Sequence, residues 1–291
     1  MARCVSWLLG SALSSIILAS SAAADPDTVF FPSADGKTDI VGYLFAPATA
    51  GPHPAIVMLH GRSGPYSSNV NATCTLVSRS QPTPCNAAGL SKRHMMWGNY
   101  WAQHGYIALL PDSFGPRGKA HGFGRHTHDD PERDDVNERT VRPLDAEGAL
   151  TYLRGRNDVD RTRIFLQGWS NGASTALNVM ARQGRQSVDY RAALVFYPGC
   201  GTASLLGPAL ATSAPITMFL ASDDEEVSPV NCMRLADRSR EAGARIDVVT
   251  YQGATHDFDE PSKSRQSVAG NREALADALK RAIDAVEAAR D

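Results

Sequence analysis

Short apolar segments alternate with longer amphipathic segments along most of the chain. The continuous apolar runs 55–59 (AIVML) and 106–110 (YIALL) are typical of strands that are buried on both faces of a parallel sheet. Segments such as 171–182 and 271–289 carry apolar residues at helical spacing instead. This alternation predicts an α/β fold, with a mostly parallel central sheet flanked by helices.

The pattern predicts one continuous domain over 25–291, because no repeat or low-complexity linker divides it. The predicted strands are 28–31, 40–46, 55–59, 106–110, 163–167, 192–197, 216–221 and 246–251. The predicted helices are 139–153, 171–182, 230–242 and 271–289. Two long segments, 62–100 and 112–138, are predicted loops that follow strands, so we expect them to wall a pocket.

The N-terminus has the pattern of a secretory signal. Arg3 supplies a positive charge, 5–18 carries no charge, and three alanines ending at Ala24 offer a cleavage site. An uncleaved anchor is the alternative, but the apolar segment is shorter than the ~20 residues that span a bilayer. We therefore expect a signal peptide over 1–24 and a secreted or periplasmic protein with no stable membrane anchor.

The composition narrows the classes of partner. The chain has 291 residues, 43% of them apolar and 21% charged, which suits a large globular core. Its net charge is -2, and no long block of like charge occurs. Nucleic acid is therefore not an expected partner. The sequence leaves the oligomeric state unknown.

Four cysteines remain once Cys4 leaves with the signal. In an oxidising compartment an even count indicates disulfides, and four cysteines allow three pairings. We favour Cys74–Cys85, which would close a polar loop, and Cys200–Cys232, which would join two segments that follow strands. A zinc site is the alternative, but the chain has no Cys-x-x-Cys spacing.

The segment Gly168-Trp169-Ser170-Asn171-Gly172 matches G-x-S-x-G between a predicted strand and a predicted helix. In that context the serine sits on a strained turn, and the glycines avoid collisions. We therefore expect Ser170 to be a nucleophile, with an ordinary glycine-rich turn as the alternative.

A serine nucleophile needs a base and an orienting carboxylate, which follow it along the chain in this type of fold. His256 lies in a loop after the last predicted strand, and Asp224 lies after the preceding one. We expect these two to complete a Ser-Asp-His triad. Asp223 is the alternative acid, and the remaining acidic residues of that loop are expected to be solvated.

The loop after the third strand, His60-Gly61-Arg62, is expected to complete an oxyanion hole. An acyl-transfer intermediate needs two converging N–H donors. The backbone N–H groups of Arg62 and Asn171 are the candidates, while His60 is expected to brace the loop. Arg62, Arg117 and Arg125 are candidates for holding a substrate carboxylate.

These motifs together resemble the dienelactone hydrolase family of the α/β-hydrolase superfamily. The resemblance is carried by His60-Gly61, Pro111-Asp112-Ser113-Phe114-Gly115, Gly168-Trp169-Ser170-Asn171-Gly172, Tyr197-Pro198-Gly199, Asp224 with Val227, and Thr255-His256-Asp257-Phe258. The founding members carry a nucleophilic cysteine where Ser170 stands, so the chain resembles the exported relatives that use serine. The resemblance implies a lidless α/β-hydrolase fold, and it supports Cys200–Cys232.

The loop over 112–138 contains His121, His126 and His128 beside several aspartates. A metal site is conceivable from this composition, but the spacing matches no ligand signature, so a solvated loop is expected. A metal-dependent protein remains one alternative function.

The sequence predicts a serine hydrolase that cleaves a small-molecule carboxylic ester or lactone through an acyl-enzyme on Ser170, with no cofactor and no metal. A peptidase of the same fold is one alternative, although no propeller-sized domain is present. A noncatalytic binding protein that kept the fold is another.

Overall fold

The computed structural model describes residues 25–127, 129–183, 190–204 and 206–289, and the predicted signal over 1–24 lies outside them. Within the described residues, the predicted α/β fold is confirmed, since one sheet of eight strands packs between helices. The strands are β1 (Asp27–Pro32), β2 (Asp39–Phe45), β3 (His53–Leu59), β4 (Ile107–Asp112), β5 (Val159–Trp169), β6 (Ala193–Phe196), β7 (Ile216–Ala221) and β8 (Ile246–Tyr251).

The strand order across the sheet is β1-β2-β4-β3-β5-β6-β7-β8. Strand β2 runs antiparallel to β1 and β4, and every other neighbouring pair is parallel. Leu59 of β3 pairs with Gly168 of β5, and Ala221 of β7 pairs with Tyr251 of β8. The carboxyl ends of these strands therefore meet at one edge of the sheet, where ligands bind in such folds.

The helices connect the strands and cover both faces of the sheet. They are α1 (Ser68–Asn71), α2 (Lys92–Gln103), α3 (Arg142–Arg154), α4 (Asn171–Gln183), α5 (Pro229–Glu241), α6 (Lys263–Gln266) and α7 (Ala269–Ala288). Short 3-10 turns occur at Ala87–Gly89, Gly115–Arg117, Pro131–Val136 and Thr202–Ser204. None of the described helices is long and apolar enough to cross a membrane.

The core lies on both faces of the sheet because the middle of the central strand β3, over 55–59, is apolar at every position. In β3, Ala55, Val57 and Leu59 belong to the core layer that also contains residues of α3, α4 and α5, while Ile56 and Met58 belong to the opposite layer with residues of α2 and α7. All five side chains are fully buried. Burying each of the larger ones contributes roughly 1.5–3 kcal/mol, so the two layers fix the sheet that carries the site.

Helix α2 corrects the prediction of one long loop over 62–100. Ser91 caps this helix by accepting a hydrogen bond from the His94 N–H, and Trp97 and Trp101 lie one turn apart with both side chains fully buried. Gly98 obscures the helical pattern, but a Cβ there would lie 2.5 Å from the Phe45 ring. Glycine is therefore required by packing against β2, at a cost of about 1 kcal/mol in helix propensity.

Candidate active site

Ser170 occupies a strained turn between β5 and α4. Its φ of 50° lies in the left-handed region, which is uncommon for a residue other than glycine. A Cβ at Gly168 would lie 2.3 Å from the Gly172 carbonyl oxygen, and a Cβ at Gly172 would lie 2.0 Å from the Leu59 carbonyl oxygen. Both glycines of the motif are therefore required by close backbone packing around the serine.

The structure brings the three predicted triad residues together. Nε2 of His256 lies 3.1 Å from Oγ of Ser170, and Nδ1 of His256 lies 2.9 Å from Oδ2 of Asp224. The side chains of His256 and Asp224 are 2% and 1% exposed. This chain of hydrogen bonds is the arrangement that a serine nucleophile, its base and an orienting carboxylate require.

Asp224, and not Asp223, faces the imidazole. Oδ1 of Asp224 accepts hydrogen bonds from the backbone N–H groups of Glu226 and Val227, each at 2.9 Å. Asp223 is exposed, and its Oδ1 accepts from the Ser222 hydroxyl at 2.7 Å. The turn that ends at Val227 therefore holds one carboxylate towards His256 and directs the other to solvent.

The surroundings of His256 favour its protonated form. Burial lowers the pKa of the imidazole, but the hydrogen bond to Asp224 and the charges of Asp257 and Glu226 outweigh burial and raise that pKa above its ordinary value. Asp257 is itself held charged, because its ion pair with Arg93 at 2.7 Å contributes to a pKa of about 2 despite burial. The site therefore favours the imidazolium form of His256.

A buried carboxylate that the sequence did not reveal supports the histidine loop. Asp259 is fully buried and accepts hydrogen bonds at 2.7 Å from the indole N–H groups of Trp97 and Trp169, and a third from the Tyr197 hydroxyl. Trp169 directly precedes Ser170. Asp259 thus fixes the distance between the histidine loop and the nucleophile turn. It lies one residue beyond the segment that carried the family resemblance.

The two predicted oxyanion donors lie on either side of Ser170. A Cβ built on Gly61 would lie 3.7 Å from the Ser170 Cβ, so the loop that carries Arg62 passes directly beside the nucleophile. Neither the Arg62 N–H nor the Asn171 N–H donates to another atom of the described chain. Both donors are therefore free to bind an oxyanion.

A buried arginine that the sequence did not single out joins the two donor segments. Arg142 at the start of α3 is fully buried, and it donates to the Asn171 side-chain oxygen and, at 2.7 Å, to the His60 carbonyl oxygen. Glu138 accepts from the Asn171 amide at 2.9 Å. His60 braces its loop as predicted, since Ser113 donates to its Nε2 at 3.2 Å.

The arginines proposed as carboxylate ligands are already paired. Arg62 forms a bidentate ion pair with Glu226 at 3.0 Å, and Arg125 contacts the same glutamate at 2.7 Å. Arg117 is bound to Asp145. The expectation that the remaining acidic residues of the Asp224 loop are solvated is therefore wrong for Glu226, because this residue holds two arginines at the edge of the site.

Two cavities meet at Ser170, with the Arg62–Glu226 ion pair between them. The first cavity, of about 220 Å³, extends past Asn171 towards the loop after β6. The second, of about 260 Å³, extends past His256 towards α2. Arg62, Ser170 and Glu226 line both cavities. As expected, the segments that follow β3 and β4 contribute walls.

Comparison with known proteins agrees with this geometry. The model of the Dienelactone hydrolase family matches residues 86–289, a span that includes Ser170, Asp224 and His256. The chain belongs to this family. It is accordingly a hydrolase that acts on ester bonds.

Solved structures share the fold of this dienelactone hydrolase family member at low identity. A thermophilic esterase of the Planctomycetes species Thermogutta terrifontis is 18% identical, with 90% of this chain and 91% of that chain covered and a TM-score of 0.59. A dienelactone hydrolase-like promiscuous phosphotriesterase from metagenomic libraries is 19% identical, with 90% and 96% covered and a TM-score of 0.63. The fold is therefore that of the α/β-hydrolases.

The structure of this family member contains both favoured disulfides, but they lie in different places. Cys200–Cys232 links the loop after β6 to the first turn of α5, and Cys200 lines the first cavity. Cys74–Cys85 lies near the outer strands, where Arg79 of the loop that it closes pairs with Asp39 of β2. Neither cysteine of this second pair lines a cavity at Ser170, so this part of the loop is not the pocket wall that the sequence suggested.

One group of metal-ligand types lies in the site, although not where the sequence suggested. Ligand atoms of Glu226, His256 and Asp257 lie within 4.8 Å of one another. Because arginines already neutralise both carboxylates, this set fits a cation poorly. Among the described residues of the 112–138 loop, no such group occurs. His128 lies outside the described residues.

Proposed function

We propose that this protein hydrolyses a carboxylic ester or lactone through an acyl-enzyme on Ser170. Ser170 Oγ attacks the carbonyl carbon and passes its proton to Nε2 of His256, while Asp224 holds the imidazole tautomer and stabilises its charge. The backbone N–H groups of Arg62 and Asn171 bind the oxyanion. The C–O bond to the leaving group then breaks, and the leaving oxygen takes the proton from His256.

Deacylation uses the same groups in the reverse order. A water molecule gives a proton to His256 as it attacks the acyl carbon, the bond to Ser170 Oγ breaks, and the proton returns to that oxygen. The acid product and the free serine remain. Every proton in both half-reactions passes through Nε2 of His256, so this chain's residues suffice without a cofactor.

One observation carries the proposal. The hydrogen bonds from Ser170 to His256 and from His256 to Asp224, at 3.1 Å and 2.9 Å, start from a serine in a left-handed turn at the carboxyl edge of the sheet. A noncatalytic protein has no need of a strained serine aligned with a buried base and acid.

We place the protein outside the cytoplasm, as a single domain over 25–291 that follows a cleaved signal. The support is the N-terminal pattern together with two disulfides, Cys74–Cys85 and Cys200–Cys232, which persist in oxidising compartments. A small-molecule ester is the expected partner.

A fluorophosphonate probe tests the nucleophile. A Thermogutta terrifontis esterase structure is phosphorylated by paraoxon, so an organophosphorus reagent suits this fold. We expect labelling of the parent at Ser170 and none in Ser170→Ala, together with hydrolysis of p-nitrophenyl esters or small lactones. Absence of labelling would support a noncatalytic protein, and labelling with cleavage of peptides alone would support a peptidase.

A further inference from the structure

The two cavities at Ser170 have different roles in the proposed reaction. The leaving oxygen must lie within hydrogen-bond reach of His256 Nε2 to receive its proton. His256 lines the second cavity and not the first. The leaving group therefore occupies the second cavity, and the acyl group extends into the first, past Asn171.

The first cavity is small, and most of the side chains that line it are of polar types, although carbon atoms supply more than half of the surface they present. Its volume of about 220 Å³ lies below the range of about 300–1,000 Å³ that is typical of pockets for drug-sized ligands. Among the described residues that line it, Val227 is the only aliphatic one, where a pocket for a fatty acyl chain would present several. A short acyl group of polar character fits this lining.

Arg133 faces this cavity without an ion-pair partner among the described residues. It is 6% exposed, and the one hydrogen bond of its side chain within the described residues is a long contact of 3.3 Å from Nη1 to the Thr127 hydroxyl. Its guanidinium also lies over the Phe123 ring, with 5.4 Å from Cζ to the ring centroid. A nearly buried cation with so few partners has N–H donors available to a ligand.

Acceptors face the same cavity. Glu138 is 5% exposed, and its Oε2 accepts from Asn171 while its Oε1 has no partner among the described residues. The side-chain amide of Asn231 in α5 also makes no hydrogen bond within the described chain, and it lines the cavity. The cavity thus presents unpaired donors and unpaired acceptors together.

Unpaired donors and acceptors in one cavity disfavour an apolar acyl group and an acyl group with a carboxylate, and they favour an acyl group with hydroxyls. An apolar acyl group would desolvate Arg133 and Glu138 without replacing their hydrogen bonds, at a cost of about 1–3 kcal/mol for each group. A carboxylate would meet the charges of Glu138 and Glu226, while Arg62 and Arg125 are already paired with Glu226, which leaves Arg133 to balance it. A hydroxyl both donates and accepts, so it satisfies both kinds of group.

We infer that the first cavity binds a short, uncharged acyl group that carries hydroxyls, which are held by Arg133, Glu138 and Asn231. The substrate class is then an ester or lactone of a hydroxy acid. This inference rests on the proposed function for the identity of the bound moiety as an acyl group.

The test compares three ethyl esters with three-carbon acyl groups: ethyl glycerate with two hydroxyls, ethyl propionate with none, and monoethyl malonate with a carboxylate. Dissociation constants are measured by NMR titration on Ser170→Ala, so that binding is read without hydrolysis. We expect ethyl glycerate to bind on the order of tenfold more tightly than either of the others, as about one hydrogen bond to a charged group supplies. On the parent, kcat/KM divided by each ester's hydroxide-catalysed rate should follow the same order.

Variants assign the preference to the cavity. Arg133→Gln and the isosteric Asn231→Leu, each combined with Ser170→Ala, should reduce the preference for glycerate. The matched control Arg139→Gln, at an exposed arginine of the same loop, should keep it. Equal or tighter binding of propionate or malonate overturns the inference, whether or not the variants fold. If the parent hydrolyses none of the esters but Ser170→Ala prefers glycerate, the proposed function fails and the cavity's specificity stands.

Discussion

The two sides of the cleft at Ser170 are held by different interactions. On the histidine side, formed by Asp224, His256 and Asp259, hydrogen bonds connect side chains that are at most 2% exposed. On the arginine side, formed by Arg62, Arg125 and Arg133, the main contacts are ion pairs to Glu226 and a long bond to Thr127. Arg62 is 21% exposed and Arg125 is 47% exposed.

This difference makes the histidine side of the cleft more rigid than the arginine side. Buried hydrogen bonds are costly to break, because a carboxylate such as Asp259 would be left unpaired in a low-dielectric environment. An ion pair to an exposed arginine such as Arg125 contributes about 0–1 kcal/mol and is screened by salt, so this side of the cleft is held less firmly. The histidine side is therefore suited to fixed chemistry, and the arginine side to recognition of the substrate.

The largest expected effect comes from removing the Ser170 hydroxyl, which lies between the two sides of the cleft. Ser170→Ala should lower kcat on the order of 10⁴-fold or more, because the base and the oxyanion donors then have no nucleophile to act on. Circular dichroism and thermal unfolding should match the parent, since Ser170 is not part of the core. An activity within tenfold of the parent would assign the nucleophile to another residue.

The histidine side should respond to one carboxylate and not to its neighbour. Asp224→Asn should lower kcat by up to about 10⁴-fold, because an amide favours the wrong imidazole tautomer. Asp223→Asn is the matched control, since the same change is made one residue earlier on an exposed side chain. Steady-state kinetics on both variants decide the assignment, and a larger loss in Asp223→Asn would reverse it.

Chain order made Asp224 and His256 of the histidine side predictable, although it gave no sign of Asp259. In a parallel sheet, strand ends that are distant in sequence meet at one edge, so a serine, an aspartate and a histidine after β5, β7 and β8 must converge. The glycines around Ser170 and the turn ending at Val227 added local evidence of the same kind. No knowledge of side-chain packing was needed for these residues.

On the arginine side, the sequence singled out Arg62 and Arg125 but neither their pairing with Glu226 nor Arg133. Arg62 and Glu226 are separated by 164 positions, and the loop that carries Arg133 has no periodicity to orient it. Arginine and glutamate are common surface residues, so nothing in the pattern distinguishes a paired guanidinium from a free one. Helix α2 was missed for a related reason. Gly98 is a poor helix former, and it is required there by its close packing against Phe45, which the sequence does not show.

The two disulfides offer a smaller contrast between a bond beside the site and a bond away from it. Replacing Cys200 and Cys232 by alanine should lower the free energy of unfolding by about 3–4 kcal/mol, and replacing Cys74 and Cys85 by about 2–3 kcal/mol, because the closed segments are 32 and 11 residues. Only the loss of Cys200–Cys232 should also lower kcat/KM, since Cys200 lines the first cavity and Cys232 lies in α5 just beyond the Asp224 turn. Denaturant unfolding and kinetics on both double variants measure this, and equal losses of activity would contradict the separation.

The smallest expected effect is a shift in the pH dependence of activity, because the charge of Glu226 on the arginine side acts on His256. His256 acts as a base only when neutral, so kcat/KM should fall as pH drops through its raised pKa. Glu226 lies 3.8 Å from Nε2 of His256 and favours the imidazolium, so Glu226→Gln should lower that pKa and move the acid limb of the profile to lower pH. For stability, the raised pKa of His256 acts in the opposite direction to the lowered pKa of a carboxylate. It stabilises the fold below the unfolded-state pKa, and this contribution disappears as pH rises through the folded-state pKa.

Asp223→Asn, which removes a charge from the same loop without facing the imidazole, should leave the acid limb in place. An acid limb that stays fixed in Glu226→Gln would show that the arginines already cancel the effect of Glu226 on the base, and a limb that moves to higher pH would contradict that effect outright.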